Sequence, residues 1–131
     1  MLHIILYVST ISAGMTQREL QQVVARSQQV NRRLDVTGVL AAGRGVFAQV
    51  LEGNASALAL TLERIRLDQR HSDIRLVLDA PAKLRLFDRW SMKLVVDDSS
   101  AQLALDARDG KAPAQALLER LRVHHAEDPH C

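Results

Sequence analysis

Residues 36–53 read VTGVLAAGRGVFAQVLEG. Two short apolar runs flank Gly43-Arg44-Gly45. Strand-like runs around a three-residue connection containing glycine predict a β-hairpin. One polar side chain, Gln49, interrupts the second run between Phe47 and Leu51. A buried amide needs partners for both its carbonyl and its NH2, or burial costs on the order of 1–3 kcal/mol. What Gln49 bonds to is therefore the question on which function turns.

Outward from the hairpin, the chain alternates strands and helices. Leu2 to Ser9 predicts a strand that is apolar on both faces, with Leu2, Ile4 and Leu6 on one and Ile5 and Tyr7 on the other. Thr16 and Glu19 have the spacing of a capping box. A helix then runs to about Val30, with Leu20, Val23, Val24 and Ser27 toward the sheet and Asn31 at its end. After the hairpin, Asn54 or Ser56 caps a second helix over about Ala55 to Asp68, which Asp68-Gln69-Arg70-His71 ends. Ile74 to Asp79 reads as a strand, and Arg89 to Val96 as a last one. In that last strand Trp90, Met92 and Leu94 share one face.

The order β-α-β-β-α-β-β predicts an α+β, ferredoxin-like sandwich: a mixed sheet with two helices on one face. Residues 1–97 form the domain. Residues 98–131 are a linker and a C-terminal helical extension, with 97–110 polar and linking. Pro113 opens a helix to about His125 whose Leu117, Leu118 and Leu121 cap the open sheet face or meet another chain.

Composition narrows the classes. The chain has 131 residues, 47% hydrophobic and 24% charged, the range of one soluble globular domain. The net charge of +2 comes from Lys and Arg scattered among acids, so no nucleic-acid partner is expected. No apolar run reaches the ~18 residues that span a bilayer, and no membrane association is expected. The N-terminus lacks the basic region and cleavage site of a signal peptide. The single cysteine, Cys131, permits no internal disulfide and fits a reducing cytoplasm. The five histidines, at 3, 71, 124, 125 and 130, have no zinc-ligand spacing. Neither a phosphate loop nor a nucleophile elbow occurs.

The chemistry gathers instead in Tyr7, Asn31, Gln49, Arg64, Asp68, Trp90 and Met92. Tyr7 brings a phenol that donates a hydrogen bond and can be oxidised. Gln49 accepts at one end and donates at the other, so it can relay between a phenol and a planar heterocycle. Asn31 can fix an imide edge in two directions. Arg64 and Asp68, at i and i+4, can hold a polar tail. Taken singly, each has an ordinary structural explanation; together and in this order they do not.

This ordered set resembles the BLUF domains, blue-light sensors that use flavin. The likeness runs from Leu2 to Val96 and rests on Tyr7-Val8-Ser9, Asn31, Val36-Thr37-Gly38, Gln49-Val50-Leu51-Glu52-Gly53, Arg64-Ile65 with Asp68 and Arg70-His71, and Trp90-Ser91-Met92. It departs from the common pattern at Val30, Arg32 and Ala41-Ala42. The resemblance implies a flavin ring between the two helices, FAD in the first place with FMN or riboflavin as alternatives. It implies Tyr7 as electron and proton donor, and Gln49 as the amide whose hydrogen bonds change after light. Asn31 would hold the pyrimidine edge, and Val23 and Ile65 the two ring faces. Arg64 and Asp68 would line the second helix, with Arg70 and His71 near them. Trp90 and Met92 would carry the signal outward.

The expectation is a photoreceptor without an enzymatic domain of its own, because some thirty-five residues after Val96 are too few for one. Its output is then a change in a homo-oligomer or contact with a separate, unidentified signalling protein. Two other classes compete: a flavin-dependent redox protein of the same fold, and a flavin-free interaction module.

Overall fold

The computed structural model describes residues 1–88 and 90–127. In chain order the elements are β1 (Leu2–Ile11), α1 (Gln17–Leu34), β2 (Thr37–Gly43), β3 (Val46–Asn54), α2 (Ala55–Arg66), β4 (His71–Pro81), β5 (Lys93–Val96), α3 (Asp98–Arg108) and α4 (Ala114–Glu127). The sheet order is β4-β1-β3-β2-β5. All neighbours are antiparallel except β2 and β5, so the sheet is mixed, as the alternation of elements predicts.

The hairpin closes with two residues, not three: Gly43 pairs with Val46 across Arg44-Gly45. Both turn residues have positive φ, 49° and 77°, the twist that joins right-handed strands tightly. The hairpin register then decides which side chains meet. Along β3, Phe47, Gln49 and Leu51 face one side of the sheet, and Val46, Ala48 and Val50 the other.

The first side is covered by α1 and α2. Thr16 and Glu19 form the expected capping box, and Asn54 caps α2 by accepting from Ala57 N at 2.9 Å. Leu20, Val23 and Val24 of α1 and Leu58, Leu62 and Ile65 of α2 pack over Ile5, Leu40 and Phe47. Helix α1 runs on to Leu34, so Asn31 lies within it and not at its end. Helix α2 stops at Arg66, short of Asp68, and His71 opens β4 instead of ending a helix.

The second side is covered by α3 and α4. Residues 98–108, expected to be a polar linker, are a helix that buries Ser100, Ala101 and Ala104. Small residues bury there without leaving the apolar stripe that would mark a helix in the sequence. Leu117, Leu118 and Leu121 of α4 join Leu6, Val8, Val39 and Val50 in one cluster. Asp97 ties the two helices together. It caps α3 and accepts from Ser100 Oγ at 2.7 Å, Arg120 Nε at 3.0 Å and His124 Nε2 at 3.2 Å. Burial pushes its carboxyl up, but these donors outweigh that and hold it well below the usual carboxylate range.

Strand β4 is longer than its alternation suggests. Register shifts against β1 between Leu6 and Tyr7 and between Val8 and Thr10 change which residues face inward. Two shifts bring His71 back to the side of Tyr7, Phe47 and α2. Among the described residues no helix is long and apolar enough to cross a membrane.

Candidate functional site

Between α1, α2 and the sheet lies a cavity of about 370 Å3, within the range of small-molecule sites. Its apolar walls are Val23 and Val30 from α1, Leu40 and Phe47 from the hairpin, and Ile65 from α2. Its floor carries Tyr7 and Gln49, which are direct partners across β1 and β3. That pairing places their Cβ atoms about 5 Å apart.

The Tyr7 hydroxyl donates to Gln49 Oε1. Tyr7 is only 2% exposed. Burial, with the charge of Asp68 adding to it, raises its phenol far above the ordinary value, so the proton stays on the oxygen and the hydroxyl remains a donor. With Oε1 taken, the Gln49 NH2 points to Met92 Sδ at 3.5 Å. An NH2 has two hydrogens, so one is left for the cavity.

Asn31 is buried and lines the cavity. Its Nδ2 donates to Ser91 O at 2.7 Å, while its side-chain oxygen accepts from no described residue. His71 donates from Nε2 to Ile65 O at 2.9 Å, since a carbonyl can only accept. In the neutral ring Nδ1 is then an acceptor, and Ser9 Oγ donates to it at 2.6 Å. The ring so fixed lies with its centroid 6.0 Å from those of Tyr7 and Phe47.

The mouth is cationic. Arg26, Arg64 and Arg70 line it. Asp68 does not pair with Arg64, four residues before it. It takes a bidentate pair from Arg70, Nη2 to Oδ2 at 2.7 Å and Nε to Oδ1 at 2.9 Å. The Arg70 hydrogen bond is the main cause of a lowered Asp68 carboxyl. Arg26 and Arg64 have no anionic partner among the described residues.

Of the residues singled out in the sequence, the cavity gathers Tyr7, Val23, Asn31, Gln49, Arg64, Ile65, Asp68, Arg70 and His71. Met92 reaches Gln49 from the side. Trp90 does not belong there. It is 2% exposed on the opposite side of the sheet, stacked on Phe87 at 5.9 Å and edge-on to His125 of α4 at 4.7 Å. The strand begins only at Lys93, so period-two alternation does not apply to 90–92 and Trp90 and Met92 fall on different sides. Sequence reasoning did not assign Arg26, Ser27, Val30 and Thr61 to the site, although it set Ser27 beside Val23 toward the sheet. Val23, Arg26 or Ser27, and Val30 recur at i, i+3, i+4 and i+7, the helical spacing that could have found the α1 wall.

The residues present fit a flavin: an apolar slot for a flat ring, an amide N–H and an amide oxygen without partners among the described residues for its polar edge, and the guanidiniums of Arg26 and Arg64, which have no anionic partner among the described residues. The fold and the site define a small-molecule-binding domain of α+β architecture, with a phenol and an amide in contact at the ligand cavity. The chain belongs to the BLUF family, the sensors of blue light using FAD, whose sequence profile matches residues 2–93. It is thus a flavin-based blue-light sensor domain. The photoactivated adenylate cyclase subunit beta of Euglena gracilis is 29% identical over 96 residues, 72% of this chain and 11% of that protein. The chain spans about a tenth of the length of the curated relatives it matches. Among solved structures, the dark state of the BLUF protein BlrB superposes with a TM-score of 0.80 at 26% identity, covering 97% of both chains. A bacterial light-regulated adenylyl cyclase superposes with a TM-score of 0.73 at 27% identity over 96% of this chain and 36% of that one.

Proposed function

We propose that the domain senses blue light through Tyr7 and Gln49 and passes the change to α3 and α4. The observation that carries this reading is the buried chain of contacts from the Tyr7 hydroxyl through Gln49 to Met92. A bound flavin supplies blue absorption and an acceptor for one electron and one proton. Tyr7 would give both from its phenol and take both back once the amide has exchanged partners, so that the lasting change is the hydrogen bonding at Gln49. While its proton is away, Tyr7 no longer donates to Gln49 Oε1, and the amide is free to exchange its partners. Water is excluded by Val23, Val30, Phe47 and Ile65, which strengthens the few hydrogen bonds that remain. Asn31 orients the ring edge, and the Ser9–His71–Ile65 chain stiffens the wall beside Tyr7. Residues 1–97 hold the flavin, and α3 and α4 are the transmitter.

We read the output as non-enzymatic within this chain. Relatives couple the same kind of domain to adenylyl cyclases by name. Here the signal goes to a separate effector or to a second copy of the chain in the cytoplasm. The test is direct. Purified protein should be yellow, and blue light should shift its absorption reversibly to the red. A colourless protein that takes up no added flavin overturns the reading. Bleaching to reduced flavin only with an added donor favours a redox enzyme.

The cationic mouth supports a phosphorylated flavin, FAD or FMN, over riboflavin. Replacing both Arg26 and Arg64 by Gln should weaken FMN and FAD binding by roughly tenfold to a hundredfold, the scale of hydrogen bonds to a charged group. Riboflavin binding should stay as it was. Titration of apoprotein by flavin fluorescence reads both, and an equal loss for riboflavin would show that these arginines hold something other than the tail.

A further inference from the structure

Glu52 is the one acidic side chain in the core among the described residues, with 0% exposure. It follows Gln49 by three positions in β3, so the two side chains point to opposite sides of the sheet. Its carboxylate is occupied by the connection between β4 and β5. Oε2 accepts from Leu86 N at 2.6 Å, and Oε1 accepts from Phe87 N at 3.0 Å and Thr37 Oγ1 at 3.1 Å. Arg85 braces the node from outside. It donates to Glu52 O at 3.1 Å, to Thr37 Oγ1 at 2.9 Å and to Asp35 O at 2.8 Å.

The far end of the same connection is held from the cavity side. Gly38 N donates to Trp90 O at 2.8 Å, and Asn31 Nδ2 to Ser91 O at 2.7 Å. Gln28 Nε2 donates to Met92 O at 2.9 Å. Gln49 Nε2 then reaches Met92 Sδ at 3.5 Å. A single strand thus grips one loop at two places, by Glu52 at its middle and by Gln49 at its end. Of the two grips the Glu52 one is far the stronger, because backbone N–H groups donate to a buried carboxylate. The Gln49–Met92 contact is a weak N–H to thioether contact.

We propose that Glu52 is a positioning residue for the light response, holding the loop so that Met92 stays against Gln49 and thereby setting how long the light-rearranged amide persists. The inference rests on the photoreceptor reading. With the carboxylate in place, Gln49 can return to its dark arrangement only against a fixed Met92 sulfur. With the anchor weakened, the loop yields and the return is easier. Glu52→Gln keeps the shape but turns an acceptor into an NH2 facing the Leu86 or Phe87 N–H.

The test uses the full chain with flavin bound and reads the dark recovery after blue light in wild type, Glu52→Gln, Met92→Ala and the double variant. Glu52→Gln should keep its flavin and its dark spectrum and recover faster by about tenfold, the scale of one lost hydrogen bond to a charged group. The double variant should recover no faster than Met92→Ala within about twofold, because both changes act on one contact. Thr37→Val removes one Glu52 donor with less disturbance, and it should accelerate recovery in the same direction if Glu52→Gln does not fold. Recovery at the wild-type rate in Glu52→Gln, or in Thr37→Val where that is the variant that folds, overturns the proposal. So does multiplication of the two effects in the double variant, the behaviour of a merely structural loss. A wild type with no red shift at all would instead sink the photoreceptor reading.

Discussion

Gln49→Leu is expected to leave the protein yellow and to abolish the reversible red shift. The cavity walls that hold a ring are Val23, Val30, Leu40, Phe47 and Ile65, and none of them depends on the amide. Leucine is close to glutamine in size, so the site keeps its shape. What disappears is the acceptor for the Tyr7 hydroxyl and the donor to Met92 Sδ. The phenol is then buried without a partner, which costs on the order of 1–3 kcal/mol in stability. The effect on the light response is far larger, because no hydrogen bond remains to be rearranged. Tyr7→Phe should act alike from the other side by removing the donor of electron and proton. Difference spectra of blue-lit minus dark protein check both variants, and a normal shift in either refutes the assigned roles.

Gly38→Ala should destabilise the fold more than any single hydrogen-bond loss. A Cβ at Gly38 would lie 2.0 Å from the carbonyl oxygen of Val50 in the paired strand and 3.1 Å from its carbonyl carbon. Those are backbone atoms in the middle of the hairpin, with no rotamer to relieve them, so β2 and β3 must separate. Overpacking typically costs 1–3 kcal/mol, and a backbone obstacle puts this case at about 3 kcal/mol or more. For a chain of this size that is a fall in melting temperature of roughly 10 °C. The same residue donates to Trp90 O, so the loop that carries Met92 should loosen too. Thermal unfolding by circular dichroism reads the first effect. A melting temperature within about 2 °C of wild type would mean that the strands part at little cost.

The close approach at Gly38 makes the hairpin the organiser of the chain. Gly38 allows β2 close enough to β3 for Leu40 to sit opposite Gln49, and β1 places Tyr7 opposite it on the other flank. The switch is therefore a product of strand register. A one-residue slip of β3 would turn Gln49 to the side of Leu117 and Leu121 and leave Tyr7 without a partner.

The chain itself carried what is local. Thr16 with Glu19, Asn54 before Ala55, the glycine turn and the Leu117-Leu118-Leu121 stripe each announce an element through a few neighbouring residues, and those elements are where such spacings put them. The ordered set of Tyr7, Asn31, Gln49, Arg64, Asp68, Trp90 and Met92 implies a flavin through its likeness to the BLUF pattern. Helix α3 was illegible because its buried residues are Ser100, Ala101 and Ala104, which are small and not distinctively apolar. Strand β4 was blurred because two register shifts break the alternation that marks a strand. Only the tertiary structure parted Trp90 from Met92, tied Asp68 to Arg70, added Arg26 to the lining of the cavity and gave Glu52 a loop to hold. Periodicity and capping depend on residues within one turn or one pleat of each other. These last features depend on which residue lies across a gap of tens of positions, and that is set by register, bulges and the path of a loop around a sheet edge.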